Sequence, residues 1–342
     1  MMQHPQTEPA KRAAAIDWYR TPVDPAALKK LYARSDAQGC AQTLGYLAVL
    51  VVTGSTAFYS AAHWPWWATL MAVFLHGTCF AFQINAVHEL GHGTVFRSKR
   101  LNIFFTHLYA FLGWINHRMF ETSHVRHHRS TLHPPDDLEV VAPIKITLKD
   151  FLRSAIVNID ALLHVLRFTV RIARGRFEGE WELTLFPESR PEKRRWASEW
   201  AWILLAGHAA LICVALCLKL WMIPILVTFA PFYGGWLFFL CNNTQHVGLR
   251  DNTSDFRACC RTFLPNPIVR FLYWRMNYHT EHHMYVGVPC YHLGKLHALI
   301  EHDLPPSPMG IAATWREIGA ILRQQAENPS YEHPIPLPAS RR

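Results

Sequence analysis

Residues 37–87 read AQGCAQTLGYLAVLVVTGSTAFYSAAHWPWWATLMAVFLHGTCFAFQINAV, without a single Asp, Glu, Lys or Arg. About 20 apolar residues suffice for one helical crossing of a bilayer, so this tract is long enough for two. His63-Trp64-Pro65-Trp66-Trp67 interrupts it midway, combining a turn former with aromatic residues that favour a membrane interface. The tract therefore predicts a helical hairpin with a wet tip.

A second tract, 201–248, holds one charge, Lys219, followed by Trp221 and Pro224, and predicts a second hairpin of the same kind. The expected fold class is all-α integral membrane: two transmembrane helical hairpins, four spans at about 41–62, 66–87, 201–218 and 223–245, beneath a cytosolic helical cap. Both hairpins begin and end on one side, and of 34 Lys and Arg residues only Lys219 lies within them, leaving 33 on that side. The positive-inside rule makes it cytoplasmic, with both termini. The net charge of +9 could instead point to nucleic acid, but the basic residues sit beside apolar spans and interleave with acids, which favours a membrane surface. Residues 1–34 are polar and lack a cleavable signal pattern, so the first span is expected to act as an uncleaved insertion signal, with no secreted form.

Between the hairpins, residues 101–116 are uncharged but too few to cross and return, which predicts a partly inserted element. Over 149–176, Phe151, Ile156, Ile159, Leu163, Leu166 and Val170 alternate with Arg153, Arg167, Arg171 and Arg174, as in a helix lying in the interface. Residues 186–195, with Pro187 and Pro191, read as a loop, and the Pro-rich end from Leu304 as irregular. The eight cysteines (40, 79, 213, 217, 241, 259, 260 and 290) form no CxxC pair and are expected to be reduced thiols, with Cys241 in a packing role.

The chemistry lies in the histidines. His88-Glu89-Leu90-Gly91-His92 closes the first hairpin and places two imidazoles four residues apart, on one helical face. His124-Val125-Arg126-His127-His128 and His279-Thr280-Glu281-His282-His283 each place three at i, i+3 and i+4. With 21 histidines in the chain, one HxxxH pair is expected by chance about once, but an HxxHH triplet only about 0.1 times, so two triplets carry the signal. The second hairpin ends in Asn242-Asn243-Thr244-Gln245-His246, which sets Asn242 and a ninth imidazole, His246, at the same membrane face. Nine neutral imidazoles exceed what one metal accepts, whereas two six-coordinate metals could use them all; imidazole suits zinc, copper and iron alike. Glu89, Glu121, Asp136, Asp137 and Glu281 adjoin the three boxes and could accept the outer N–H of a ligand histidine, and His133 follows the second box closely. The remaining histidines, among them His63, His76, His107, His117, His164, His208 and His297, are expected to be structural or solvated.

The HxxxH, HxxHH and HxxHH boxes, their order and the hairpin between them resemble the membrane fatty-acid desaturase superfamily over residues 37–295. That resemblance implies a membrane desaturase domain over 37–295, between a cytosolic N-terminal segment, 1–36, and a cytosolic tail, 296–342. It implies two non-haem iron ions that activate O2, held by His88, His92, His124, His127, His128, His279, His282 and His283, with His246 as the additional ligand and Asn242 reaching the metal through water. The pattern is similar to that of desaturases, alkane hydroxylases, carotenoid oxygenases and desaturases of small amino-acid-derived metabolites, so it implies the cofactor more firmly than the product. The expected activity is desaturation of a fatty acyl or lipid-like chain, and three residues inside the first box, as in many acyl-lipid and sphingolipid enzymes where the acyl-CoA group commonly has four, favour an acyl-lipid type. Hydroxylation of an alkyl chain, or desaturation of a small amino-acid-derived metabolite, is the alternative.

Rival readings start from the same residues. HELGH is also the HExxH motif of zinc proteases, but an intramembrane protease needs a third ligand, usually an Asp before Gly, and the chain contains no Asp-Gly. Glu89 to His92 and Glu121 to His124 fit the ExxH motif of soluble diiron bundles, against which the charge-free tracts argue. A metal carrier without catalysis is a third class. Since no haem or iron–sulfur cysteine pattern is visible, electrons are expected from a ferredoxin-like or other small carrier docking on the basic cytosolic face.

Overall fold

The computed structural model describes residues 16–328 and 331–338, so parts of the expected N-terminal segment and tail lie outside the described residues. Among the described residues the regular elements are helical, and β pairing is confined to isolated bridges. A short α1, Pro25–Leu31, leads into α2, Asp36–His63. Ser35 caps α2 by accepting from Gln38 N, and Asp36 places negative charge in its first turn, where the helix dipole favours it. The hairpin tip follows at Trp64 and Pro65, and α3, Trp66–Phe80, starts where proline's missing N–H is no loss. After a turn at Ala81 and Phe82 the chain continues as α4, Gln83–Gly91, with His92 as its cap residue and Gly93 at φ +68° ending the helix in the left-handed conformation that glycine adopts freely.

The segment between the hairpins, where a partly inserted element and a single interface helix were expected, consists of several helices. α5, Lys99–Leu112, packs along α4, and α6, His117–Ser130, carries the second histidine box. The interface segment divides at residues 156–158 into α7, Leu148–Ala155, and α8, Ile159–Ala173. α9, Gly179–Leu185, precedes α10, Pro191–Cys217, which starts inside the expected loop and packs along α8.

Among the described residues, three helices are long and apolar enough to cross a membrane: Asp36–His63, Trp66–Gly91 and Pro191–Cys217. Val51, Val52, Leu70, Met71, Leu75, Trp202 and Ile203 are exposed on them, an apolar exterior too extensive for a helix facing water.

The fourth expected span is not one helix. It divides into α11, Met222–Leu226, a 3-10 turn, Ala230–Phe232, and α12, Trp236–Asn242. Pro224 and Pro231 remove backbone donors, and Gly234 sits at φ +67° where an added Cβ would meet Phe74 O at 2.7 Å. The broken segment nonetheless runs beside α3 from tip to box. Met222 and Leu226 cluster with Ala57 near the tip, and Trp236 donates to Thr78 Oγ1 lower down. Its freed carbonyls are met by side chains: His76 Nε2 on Leu226 O at 2.8 Å, Trp114 Nε1 on Thr228 O at 2.9 Å and Tyr233 Oη on Ile225 O at 3.1 Å.

The remaining helices close the end where the boxes lie: α13, Phe256–Cys259, α14, Pro267–Leu272, α15, His279–Met284, α16, Cys290–Ile300, and α17, Gly310–Glu327. The last corrects the expectation of an irregular end. Thr314, Ile318 and Ile321 fall at i, i+4 and i+7 and form its buried stripe, and Trp315 Nε1 donates to Leu240 O at 2.9 Å.

Candidate metal centre

Each box reaches the centre from a different element. His88 is in the last turn of α4 and His92 caps it; His124, His127 and His128 share one face of α6; His279, His282 and His283 share one face of α15. His246 arrives differently. α12 stops at Asn242, so Asn242 and His246 do not share a helical face; Asn242 is half-buried at the helix end and His246 is buried in the turns beyond it. Those turns are pinned by Arg261, nearly buried, whose Nη1 donates to Thr244 O at 2.8 Å and Val247 O at 2.9 Å while Nε lies 3.2 Å from Glu317.

The imidazoles converge as two groups. His88, His92, His124, His128 and His282 bring one ring nitrogen each within 4.8 Å of one another, and so do His246, His279 and His283 together with the Cys260 sulfur. His127 stands beside the second group, its ring centroid 5.1 Å from both His246 and His283.

The outer nitrogens fix which atoms face inward. His88 Nδ1 lies 2.9 Å from Glu89, His124 Nδ1 2.8 Å from Glu139, His127 Nδ1 2.7 Å from Asp137 and His246 Nδ1 2.7 Å from Cys259 O. Thr131 Oγ1 donates to His127 O and so can accept only from His283 Nδ1, at 3.2 Å. An Nδ1 that meets an acceptor in this way donates to it and turns Nε2 inward, whereas the Nδ1 atoms of His128, His279 and His282 are buried without a partner. Yet Nε2 atoms face each other: His124 and His128 at 2.9 Å, His128 and His282 at 3.1 Å, His246 and His279 at 2.9 Å, His279 and His283 at 3.1 Å. The Nε2 atoms of His88 and His92 are buried with no hydrogen-bond partner.

Two groups of buried imidazole nitrogens gathered in this way could each hold a metal ion. Burial first, and then the neighbouring imidazoles, hold His124, His128, His279, His282 and His283 well below the ordinary histidine range, so they are neutral as ligation demands.

Of the acids beside the boxes, Glu89 and Asp137 face ligand histidines. The others do not. Asp136 pairs with Arg126 at 3.1 Å, Glu121 with His117 at 3.1 Å, and Glu281 with Thr262 and His297; His133 Nδ1 lies 2.8 Å from Thr131 O. Glu139 was missed because it lies 15 residues from His124 across a loop with no periodic signal. Cys260 was missed too; burial, its contact with Cys259 and nearby acids push its thiol up. The group containing His88 and His92 takes its further members from histidines, with no aspartate, and Glu89 is turned to His88 Nδ1, which disfavours the zinc-protease arrangement.

No curated protein matches the chain significantly. The sequence profile described as fatty acid desaturase matches residues 62–315, a stretch that contains all nine convergent histidines. With most of its length matched, the chain belongs to the fatty acid desaturase family.

Proposed function

We propose that this is a membrane non-haem diiron oxygenase that desaturates a fatty acyl or lipid-like chain, using O2 and two electrons. The observation that carries the proposal is the convergence of buried imidazole nitrogens in two groups at one end of three apolar helices. His88, His92, His124, His128 and His282 would hold one iron, and His127, His246, His279 and His283 the other, with Asn242 placed to reach the second through water. Iron when bound supplies the oxidant that an unactivated C–H bond requires and that side chains lack.

The protein's own part is orientation and exclusion. Glu89, Glu139, Asp137, Thr131 and the Cys259 carbonyl fix ring tautomers, so ligand geometry is set before metal or substrate arrives. Buried rings keep bulk water from the reacting carbon, and a site at the helix ends meets substrate from the membrane side and electrons from the aqueous side. With α2, α3–α4, α10 and the broken segment as four crossings, the basic end faces the cytoplasm, where an acidic ferredoxin-like carrier can dock.

Purified protein should bind two irons per chain and consume O2 when supplied with reductant and an acyl lipid, with loss of two hydrogens from the chain seen by mass spectrometry. His282→Ala should lose iron and activity together. Tightly bound zinc, or iron without reductant-dependent O2 uptake, would overturn the proposal in favour of a hydrolase or a carrier.

A further inference from the structure

Beside the histidine cluster lies a cavity of about 450 Å³ that the desaturase reading does not use, walled by Leu90, Gly91, His92 and Gly93, by one face of α5 and by the start of α6. Lys99, Asn102, Ile103, Thr106 and His107 line it along α5, a depth of roughly 12 Å at 1.5 Å per residue. Its mouth carries Arg34, Arg97, Lys99 and Arg118, exposed and without an ion pair among the described residues. Glu121 is its single carboxylate, and that one is occupied by His117 Nδ1. Four cations against one acid leave a formal charge of +3 around one opening.

A tunnel for a bare hydrocarbon chain would be lined mostly by apolar side chains. This one is not: Asn102, Thr106, His107, His117 and Glu121 outnumber Leu90 and Ile103. We propose that this cavity binds the anionic head of the substrate, a carboxylate or phosphate, with the carbon to be oxidised close to that head because His92 walls the same space. The inference rests on the oxygenase reading and deepens it. At about 30 Å³ per water the cavity has room for about fifteen waters, enough for a head and a short chain. The substrate class is therefore an amphiphile or small metabolite functionalised near its charged end.

The test uses metal-loaded full-length protein in neutral phosphatidylcholine nanodiscs, with octanoate, octyl phosphate and octanol as calorimetric probes. An anion should bind saturably, octanol should not displace it, and binding should weaken as NaCl rises from about 50 to 500 mM. Whichever of octanoate and octyl phosphate binds tighter identifies the head. The surface variant Lys99→Gln/Arg118→Gln should raise the dissociation constant at least tenfold with metal content unchanged. Equal competition by octanol, salt-independent binding, or unchanged affinity in Lys99→Gln/Arg118→Gln would overturn the proposal. So would a variant impaired only in reduction by an acidic ferredoxin, which would assign the cations to the electron donor. Failure of the oxygenase reading would appear separately, as missing iron or O2 uptake in the unmodified protein.

Discussion

Asp137 and Asp136 are neighbours with opposite fates, and the difference can be measured. Asp137 is fully buried and accepts from His127 Nδ1 at 2.7 Å, Leu132 N at 2.9 Å and Glu139 N at 2.9 Å. Burial works to raise its carboxyl, but these donors hold it below the ordinary carboxylate range, so it is ionised. Asparagine at this position has one acceptor oxygen, so at least one buried N–H meets an NH2 group, at a cost of about 1–3 kcal/mol. Replacing the outer carboxylate partner of a ligand histidine lowers metal affinity about 10- to 100-fold, or about 1.4–2.7 kcal/mol. Because His127 stands beside His246 and His283, the loss should fall on the second metal. After dialysis against a weak chelator, Asp137→Asn should retain close to one iron per chain where the unmodified protein retains two. Asp136→Asn, which only releases the partly exposed Arg126, should retain both. Full iron retention in Asp137→Asn, or parallel loss from both groups, would refute the placement of His127 and the role given to Asp137.

Cys260→Ser should leave metal content unchanged, and the optical spectrum of the iron-loaded protein should lack a thiolate charge-transfer band that depends on Cys260. His76→Phe should cost about 1–3 kcal/mol in thermal or denaturant unfolding, since it strips a partner from Leu226 O and from Thr53 Oγ1. Burial first, then His127, pushes His246 down to about 3, while in the unfolded chain it returns to about 6.5. The unfolded state therefore binds the extra proton. The contribution is intact above pH 6.5 and is lost as pH falls, by about 2 kcal/mol at pH 5, so metal-free protein should melt lower at pH 5 than at 7.5 and His246→Asn should lessen the difference.

Local periodicity decided much of this protein before any tertiary contact. Charge-free length made α2, α3–α4 and α10 legible as membrane-length helices, and i, i+3, i+4 spacing put His124, His127 and His128 on one face, because a helix repeats every 3.6 residues whatever surrounds it. The same periodicity was present in Thr314, Ile318 and Ile321, where the prolines nearby obscured it. Hydropathy could not show that 223–245 breaks into pieces, since apolar content measures burial and not backbone hydrogen bonding; the break holds because His76 and Trp114 come from elsewhere, and Tyr233 from within the segment, to meet its carbonyls. Nor could spacing divide nine histidines into two groups or join His124 to Glu139. Those pairings depend on where α4, α6, α15 and the Arg261-pinned turn meet in space, and only packing, acting between residues far apart in the chain, sets that.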